Sequence, residues 1–372
     1  MRVVIVRAAL ETVSPRGPKT AQVLSSHGHS VIMLGWDREC KYPKVSQEEH
    51  YEARRFRFRA PFGPRVLAFL PIWWLFEFLW LMKERWDIVQ AMDFDTIMPA
   101  VVAARIKRKK VIYEIADIYY MLVRLPGWLT SICVFVDKLF IRCADGVVLA
   151  SEGVVKELNG IPNKNVVVII NSPPDSCGEL KPIARDKGTF TIFYAGALFR
   201  SRKSNLDKVF EAIKNMDKVI LVVAGYGDEV DQITKWASEA TDKVQFLGKI
   251  SYSQVLAKTA EADLLVALYD PSVYVHRWGY ATKLFEAMMC RKPILVSKGT
   301  AMAELVEKEN CGLAVDVNNV EEIRQAIAKL KQNPELCKQM GANGRKVYER
   351  EYSWQIMEQR MLSMYSAISR RR

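Results

Sequence analysis

The chain has 372 residues and a formal net charge of +12, half of its residues are hydrophobic, and neither Gly nor Pro is in excess. This length is too great for one ordinary core and suits two α/β domains, while the composition excludes a disordered or fibrous chain. The basic balance favours anionic partners such as nucleotides, phosphates or acidic lipid.

The N-terminal MRVVIVRAAL reads as a buried strand, with an apolar run too short for a signal peptide. Short apolar, β-branched runs predict further strands at 31–34, 88–91, 111–115, 147–150 and 166–170. Six more are predicted in the second half, at 190–194, 220–224, 244–247, 264–268, 293–296 and 313–315. Helical patterns separate them, so both halves predict parallel sheets covered by helices on both faces. Asn333 before Pro334 and Ser353 before Trp354 read as helix starts.

Residues 66–82, VLAFLPIWWLFEFLWLM, are almost wholly apolar apart from Glu77, and Arg65, Lys83 and Arg85 flank them. Two readings compete: a core helix under the first sheet, and a helix lying in a membrane interface. A true span is the weakest reading, because the run is short and contains Pro71 and Glu77.

The Pro-, Gly- and charge-rich stretch 171–188 reads as a linker. The expected division is a first domain at 1–175, a linker at 176–188, a second domain at 189–352, and a helix at 353–372 packing back toward the first domain. The seven cysteines are scattered without a C-x-x-C pair, which argues against a disulfide framework or a zinc site and for a reducing cytoplasmic compartment.

The second half carries the chemistry. The strand at 190–194 runs into Ala195-Gly196-Ala197 and is followed by Arg200, Arg202 and Lys203, a cationic cluster where an α/β sheet binds ligands. Gly225 and Gly227 follow the next strand, although an ordinary βα turn explains them equally well. In TKLFEAMMCRKPILVS, Thr282 is placed to cap a helix whose free N–H groups at Lys283, Leu284 and Phe285 suit a phosphate. Glu286 follows one turn in, among apolar residues, where it suits ribose hydroxyls.

In this order the motifs YAGAL, VVAGYGDE, VQFLGKIS, EADLLVAL, TKLFEAMMCRKPILVS, ENCGLAVD and REYSW resemble the C-terminal domain of retaining GT-B glycosyltransferases of the family four type. HGHSVIML, WDIVQAMDFDTIMPA, VIYEIADIYY, CADGVVLASEGV and VVVIIN match more loosely, so the resemblance covers nearly the whole chain. It implies two Rossmann-like, doubly wound parallel-sheet domains facing a central cleft. The donor would be a nucleotide-diphosphate sugar and the acceptor a lipid-linked molecule or a glycan.

By that resemblance Arg202 neutralises the donor diphosphate with Lys203 and Arg200 nearby, Glu286 holds the ribose, and Lys283 shares the helix-start motif. Gly196, Gly225, Gly227, Leu284 and His276 belong to the donor site, and Asp93, Asp117 and Tyr119 are acceptor candidates. Trp278 stands where many members carry a second glutamate, Ala197 where many carry an arginine, and Ala116 where many carry a histidine. No strong protein base is implied, because the leaving diphosphate can receive the acceptor proton, and no metal or cofactor is implied, because Arg202, Lys203 and helix N–H groups would meet the charge and no metal motif is visible.

Two rival functions stand beside this one: a nucleotide-sugar epimerase on the same fold, and a catalytically degenerate nucleotide-sugar-binding subunit of a transferase complex. Nucleic acid is not an expected partner, because the basic run at 105–110 lacks interleaved aromatics. The expected location is cytoplasmic, with peripheral attachment to an anionic membrane face.

Overall fold

The computed structural model describes residues 1–11, 14–122, 126–176, 188–200 and 204–370, without the side chains of Tyr119, Leu122 and Tyr274. They form two compact units: Met1–Asn171 together with Met357–Arg372, and Ser172–Ile356. The chain passes from one to the other at 171–172, and most of the expected linker, 177–187, lies outside the described residues.

The first unit runs β1 (Arg2–Arg7), α1 (Arg16–Ser26), β2 (Ser30–Asp37), β3 (Val45–Gln47), β4 (Glu52–Arg57), α2 (Leu70–Lys83), β5 (Ile88–Met92) and α3 (Phe94–Lys107). It continues with β6 (Lys110–Ile115), α4 (Tyr119–Leu122), α5 (Gly127–Cys143), β7 (Gly146–Leu149), α6 (Gly153–Glu157) and β8 (Val166–Val168). The sheet order is β3-β4-β2-β1-β5-β6-β7-β8, parallel except for the short edge strand β3. β1 is central, and Val3 to Val6 are fully buried, as an apolar strand covered on both faces should be.

β3 and β4 were not expected. β4 reads EARRFR, too charged for an apolar pattern. Its inward Arg55 is matched by the buried Glu11 carboxylate, so the cation is not left uncompensated inside.

α2 resolves the rival readings of 66–82 into two faces. Leu70, Trp73, Glu77 and Leu81 form a buried stripe at helical spacing. Trp73 stacks on Trp36 with ring centroids 5.7 Å apart, and Phe76 on Phe56 at 4.2 Å. The core-helix reading therefore holds for this stripe. The opposite face stays apolar and exposed at Ile72, Leu75 and Leu79. Pro64–Lys83 is apolar and long enough to cross a bilayer by length and composition. Packing of α2 against α3, and of its Trp73 and Phe76 against Trp36 and Phe56 of the sheet, makes it a helix of this unit.

The second unit runs β9 (Phe190–Ala197), α7 (Leu206–Ile213), β10 (Val219–Tyr226), α8 (Val230–Glu239), β11 (Val244–Phe246), α9 (Tyr252–Glu261) and β12 (Leu264–Ala267). Then come α10 (Tyr274–Trp278), α11 (Thr282–Met289), β13 (Ile294–Ser297), α12 (Ala301–Lys308), β14 (Gly312–Val315), α13 (Val320–Gln332) and α14 (Pro334–Val347). All of its strands are parallel, in the order β11-β10-β9-β12-β13-β14.

The last helix, α15 (Trp354–Ser369), belongs to the first unit from Met357 onward. Its Tyr365 hydroxyl donates to Gln90, whose amide donates to Glu114, which also accepts from Arg16 at 2.7 Å. Gly146 makes room for it: a Cβ there would lie 2.4 Å from Met364 and 2.6 Å from Ile368. Both units are thus Rossmann-like α/β layers. Six of the seven cysteines are free thiols, and Cys177 lies outside the described residues.

Candidate functional site

In parallel α/β sheets ligands collect beyond the carboxyl ends of the strands. In the second unit those ends bring together Gly196 of β9, Tyr269 after β12 and the first turn of α11. Seven of the eight residues of α11, from Lys283 to Met289, are buried. Thr282 is the first helical residue and not the cap. Ala281 holds the N-cap position and offers no side-chain acceptor.

Lys283 is only 8% exposed, and its Nζ donates to the Tyr269 hydroxyl at 2.5 Å. The same ammonium lies 3.8 Å from the centre of the Tyr194 ring and 5.0 Å from that of Tyr269. The Tyr194 ring thus steadies the cation by its electron-rich face, and Tyr269 steadies it by its hydroxyl oxygen. A Cβ on Gly196 would come within 3.2 Å of this Nζ, so the glycine keeps the space above the ammonium open.

Glu286, one turn on, is 6% exposed, which removes the surface-glutamate alternative. The Tyr252 hydroxyl of α9 bonds to it, and burial together with this carboxylate pushes the phenol well above its ordinary range. Leu284 is fully buried and contributes only backbone to any ligand. His276 of α10 is 7% exposed, with its ring 4.7 Å from that of Tyr269. His276, Tyr269, Lys283 and Gly196 therefore form one continuous chain of contacts.

Gly225 and Gly227 serve the backbone. A Cβ on Gly225 would sit 2.1 Å from the Gly196 carbonyl, and one on Gly227 equally close to that of Leu198. Gly227 also has φ +149, a conformation open to glycine. The glycines thus let β10 close against β9 and its following turn. Asp228 fixes that turn by accepting the Arg200 amide at 2.8 Å, and Arg200 itself is exposed. α7 begins at Leu206, after Asn205, whose amide donates to the Leu268 carbonyl at 2.7 Å. Arg202 and Lys203 lie outside the described residues.

In the first unit Asp93 follows β5 as the N-cap of α3 with φ +68, a left-handed conformation uncommon outside glycine. Its Oδ1 accepts the amides of Ala116 at 2.9 Å and Asp117 at 3.1 Å. Burial, and then the charges of Asp117 and Asp95, push its carboxyl up to about 8. Asp93 therefore shapes the turn after β6, and the exposed Asp117 is what that turn presents. Tyr119 starts α4, and its side chain is undescribed.

Sequence reasoning did not single out Tyr269, Tyr194 or Tyr252. Tyr269 alone had a signal, its place two residues after the apolar strand β12.

Comparison with known proteins bears on the family and the fold. Residues 179–347 match the family model for glycosyl transferases group 1, and residues 18–172 match the glycosyl transferase 4-like domain. An uncharacterized glycosyltransferase of Methanocaldococcus jannaschii is 25% identical over 236 residues, 59% of this chain and 57% of that protein. A GDP-mannose-dependent monoacylated alpha-(1-6)-phosphatidylinositol monomannoside mannosyltransferase of Corynebacterium glutamicum is 26% identical over 160 residues, 41% of this chain and 42% of that one. The chain thus spans less than two thirds of the length of these relatives. Sucrose-phosphate synthase from Thermosynechococcus elongatus superposes with a TM-score of 0.77 over 99% of both chains at 15% identity, which shows the GT-B fold. Nothing in these likenesses supports an epimerase.

Proposed function

We propose, for a chain whose two halves match the group 1 glycosyl transferase and 4-like domain models, that it is a glycosyltransferase. It moves a sugar from a nucleotide-diphosphate donor, held by the second unit, to a lipid-linked or glycan acceptor, with retention of configuration. The observation that carries this reading is the first turn of α11, where a caged ammonium and a buried carboxylate stand one turn apart beside Gly196. The cation suits a diphosphate and the carboxylate suits a pair of ribose hydroxyls.

In the proposed step the acceptor oxygen bonds to the anomeric carbon as the bond from that carbon to the diphosphate breaks. The acceptor proton passes to the departing diphosphate oxygen. Lys283, with Arg202 and Lys203, stabilises the charge that develops there, in place of a metal ion. The remaining work is positioning, in which Asp93 sets the turn that offers Asp117 to the acceptor. The mannosyltransferase relative, named for a monoacylated phosphatidylinositol monomannoside, favours a lipid-linked acceptor.

The test is a panel of nucleotide sugars followed by thermal stability and by sugar transfer. A donor that binds the folded state raises the melting temperature. No shift with any nucleotide sugar would end this reading. Binding without transfer would leave the degenerate subunit in its place.

A further inference from the structure

α2, α3 and α5 form one layer on the first sheet, α2 packing on α3 and α3 on α5. Each carries a single carboxylate, and all three point inward: Glu77, Asp95 and Asp137 are at most 6% exposed. Asp137 is satisfied by the Tyr113 hydroxyl at 2.7 Å and the Tyr120 hydroxyl at 3.1 Å.

The outward side is apolar. Of the 17 residues of α5 only Asp137 and Ile141 are buried. Its Trp128, Ile132, Phe135 and Leu139 recur at helical spacing on one face, and Trp128 and Phe135 are 69% and 70% exposed. Val102 and Ile106 of α3 continue this surface, and Leu75 and Leu79 extend it onto α2. Water is a poor solvent for so broad an apolar face, which marks it as an interaction surface.

Charge selects the occupant. Lys83, Arg105, Lys138 and Arg142 stand on these three helices, and no carboxylate on them is exposed. Acids in the adjoining loops are already matched, Asp87 by Lys109 and Asp145 by Lys110. A second copy of the chain would bring the same cations and repel. An anionic bilayer surface complements both properties, taking apolar side chains among its acyl chains and cations among its headgroups.

We propose that the outer face of α2, α3 and α5 docks on an anionic membrane surface, with α5 as an anchor equal to α2. This gives the lipid-linked acceptor its membrane, and for that purpose it rests on the function proposed above.

The test is co-sedimentation of the full chain with vesicles of phosphatidylcholine alone or mixed with phosphatidylglycerol, at low and high salt. The wild type is expected to pellet with the anionic vesicles and to be released by salt. Phe135→Asp and Leu75→Asp replace exposed side chains. Each should lower vesicle partitioning at least about tenfold, the worth of one inserted apolar side chain, with melting temperature and nucleotide binding unchanged. Wild-type protein left in the supernatant with both vesicles would overturn the proposal. So would Phe135→Asp binding like wild type, or a wild-type dimer that Phe135→Asp splits. Sugar transfer assayed separately distinguishes the two proposals. Vesicle binding without transfer removes the reaction and keeps the surface, and transfer without vesicle binding does the reverse.

Discussion

The ammonium of Lys283 donates to the hydroxyl of Tyr269 at 2.5 Å while lying 3.8 Å from the ring of Tyr194. One cation is thus fixed by residues from α11, from β9 and from the loop after β12. Lys283→Ala is expected to weaken binding of a nucleoside diphosphate by about 1.5–3 kcal/mol, the worth of a hydrogen bond to a charged group. Tyr269→Phe should cost about 0.5–1.5 kcal/mol, because the ring stays and only the hydroxyl is lost. Calorimetric titration with UDP, GDP and their nucleosides checks both. An equal loss for nucleoside and diphosphate would place Lys283 away from the phosphates.

Glu286→Ala is expected to weaken nucleotide binding by a similar ~1.5–3 kcal/mol without unfolding the chain. A 2′,3′-dideoxy nucleotide should bind wild type and variant alike, since it lacks the hydroxyls that Glu286 would hold. If the variant bound the ordinary nucleotide at full strength, the carboxylate would serve only Tyr252.

Arg202→Ala should lower turnover more than it weakens nucleoside binding, because the charge it meets develops in the transition state. Steady-state kinetics on Arg202→Ala and Arg200→Ala compare the two positions. Normal turnover in the first and loss in the second would move the role to Arg200, whose place in the turn Asp228 fixes.

Asp93 makes stability depend on pH. Its carboxyl is pushed from an ordinary 3.8 up to about 8 by burial and by Asp117 and Asp95. Between these values the folded state keeps a proton that the unfolded chain has released, so stability falls as pH rises from about 4 to 8. Asp95 and Asp137, both pushed up to about 6, add to the slope below pH 6. In Asp93→Asn the side-chain oxygen can still accept the two amides with no charge to bury. Melting curves from pH 5 to about 8.5 should therefore be flatter for this variant than for wild type. Parallel curves would mean that Asp93 is ionised throughout.

The apolar strands were legible in the sequence because burial on both faces leaves a continuous hydrophobic run, and β1, β5, β7, β12 and β13 followed that rule. β4 broke it. Arg55 stands on an inward position only because Glu11, 44 residues earlier, comes to meet it. Such a pairing leaves no local signal in EARRFR. The segment around α2 was ambiguous for a related reason. A helix apolar on both faces reads alike whether one face or neither meets a core, and the stacking of Trp73 on Trp36 is what assigns the inner side.

The candidate site divides in the same way. The sequence by itself determined the order of motifs, the position of Gly196, and the pairing of Lys283 with Glu286 in one helical turn, because three residues along a helix fix that spacing. Only the tertiary structure decided that Tyr194, Tyr252 and Tyr269 surround the pair, and that Gly225 and Gly227 make room for the backbone of β9 and its turn. It also turned Glu77, Asp95 and Asp137 inward on three neighbouring helices. These contacts join residues far apart in the chain, and they depend on strand order and helix rotation, which no local pattern encodes.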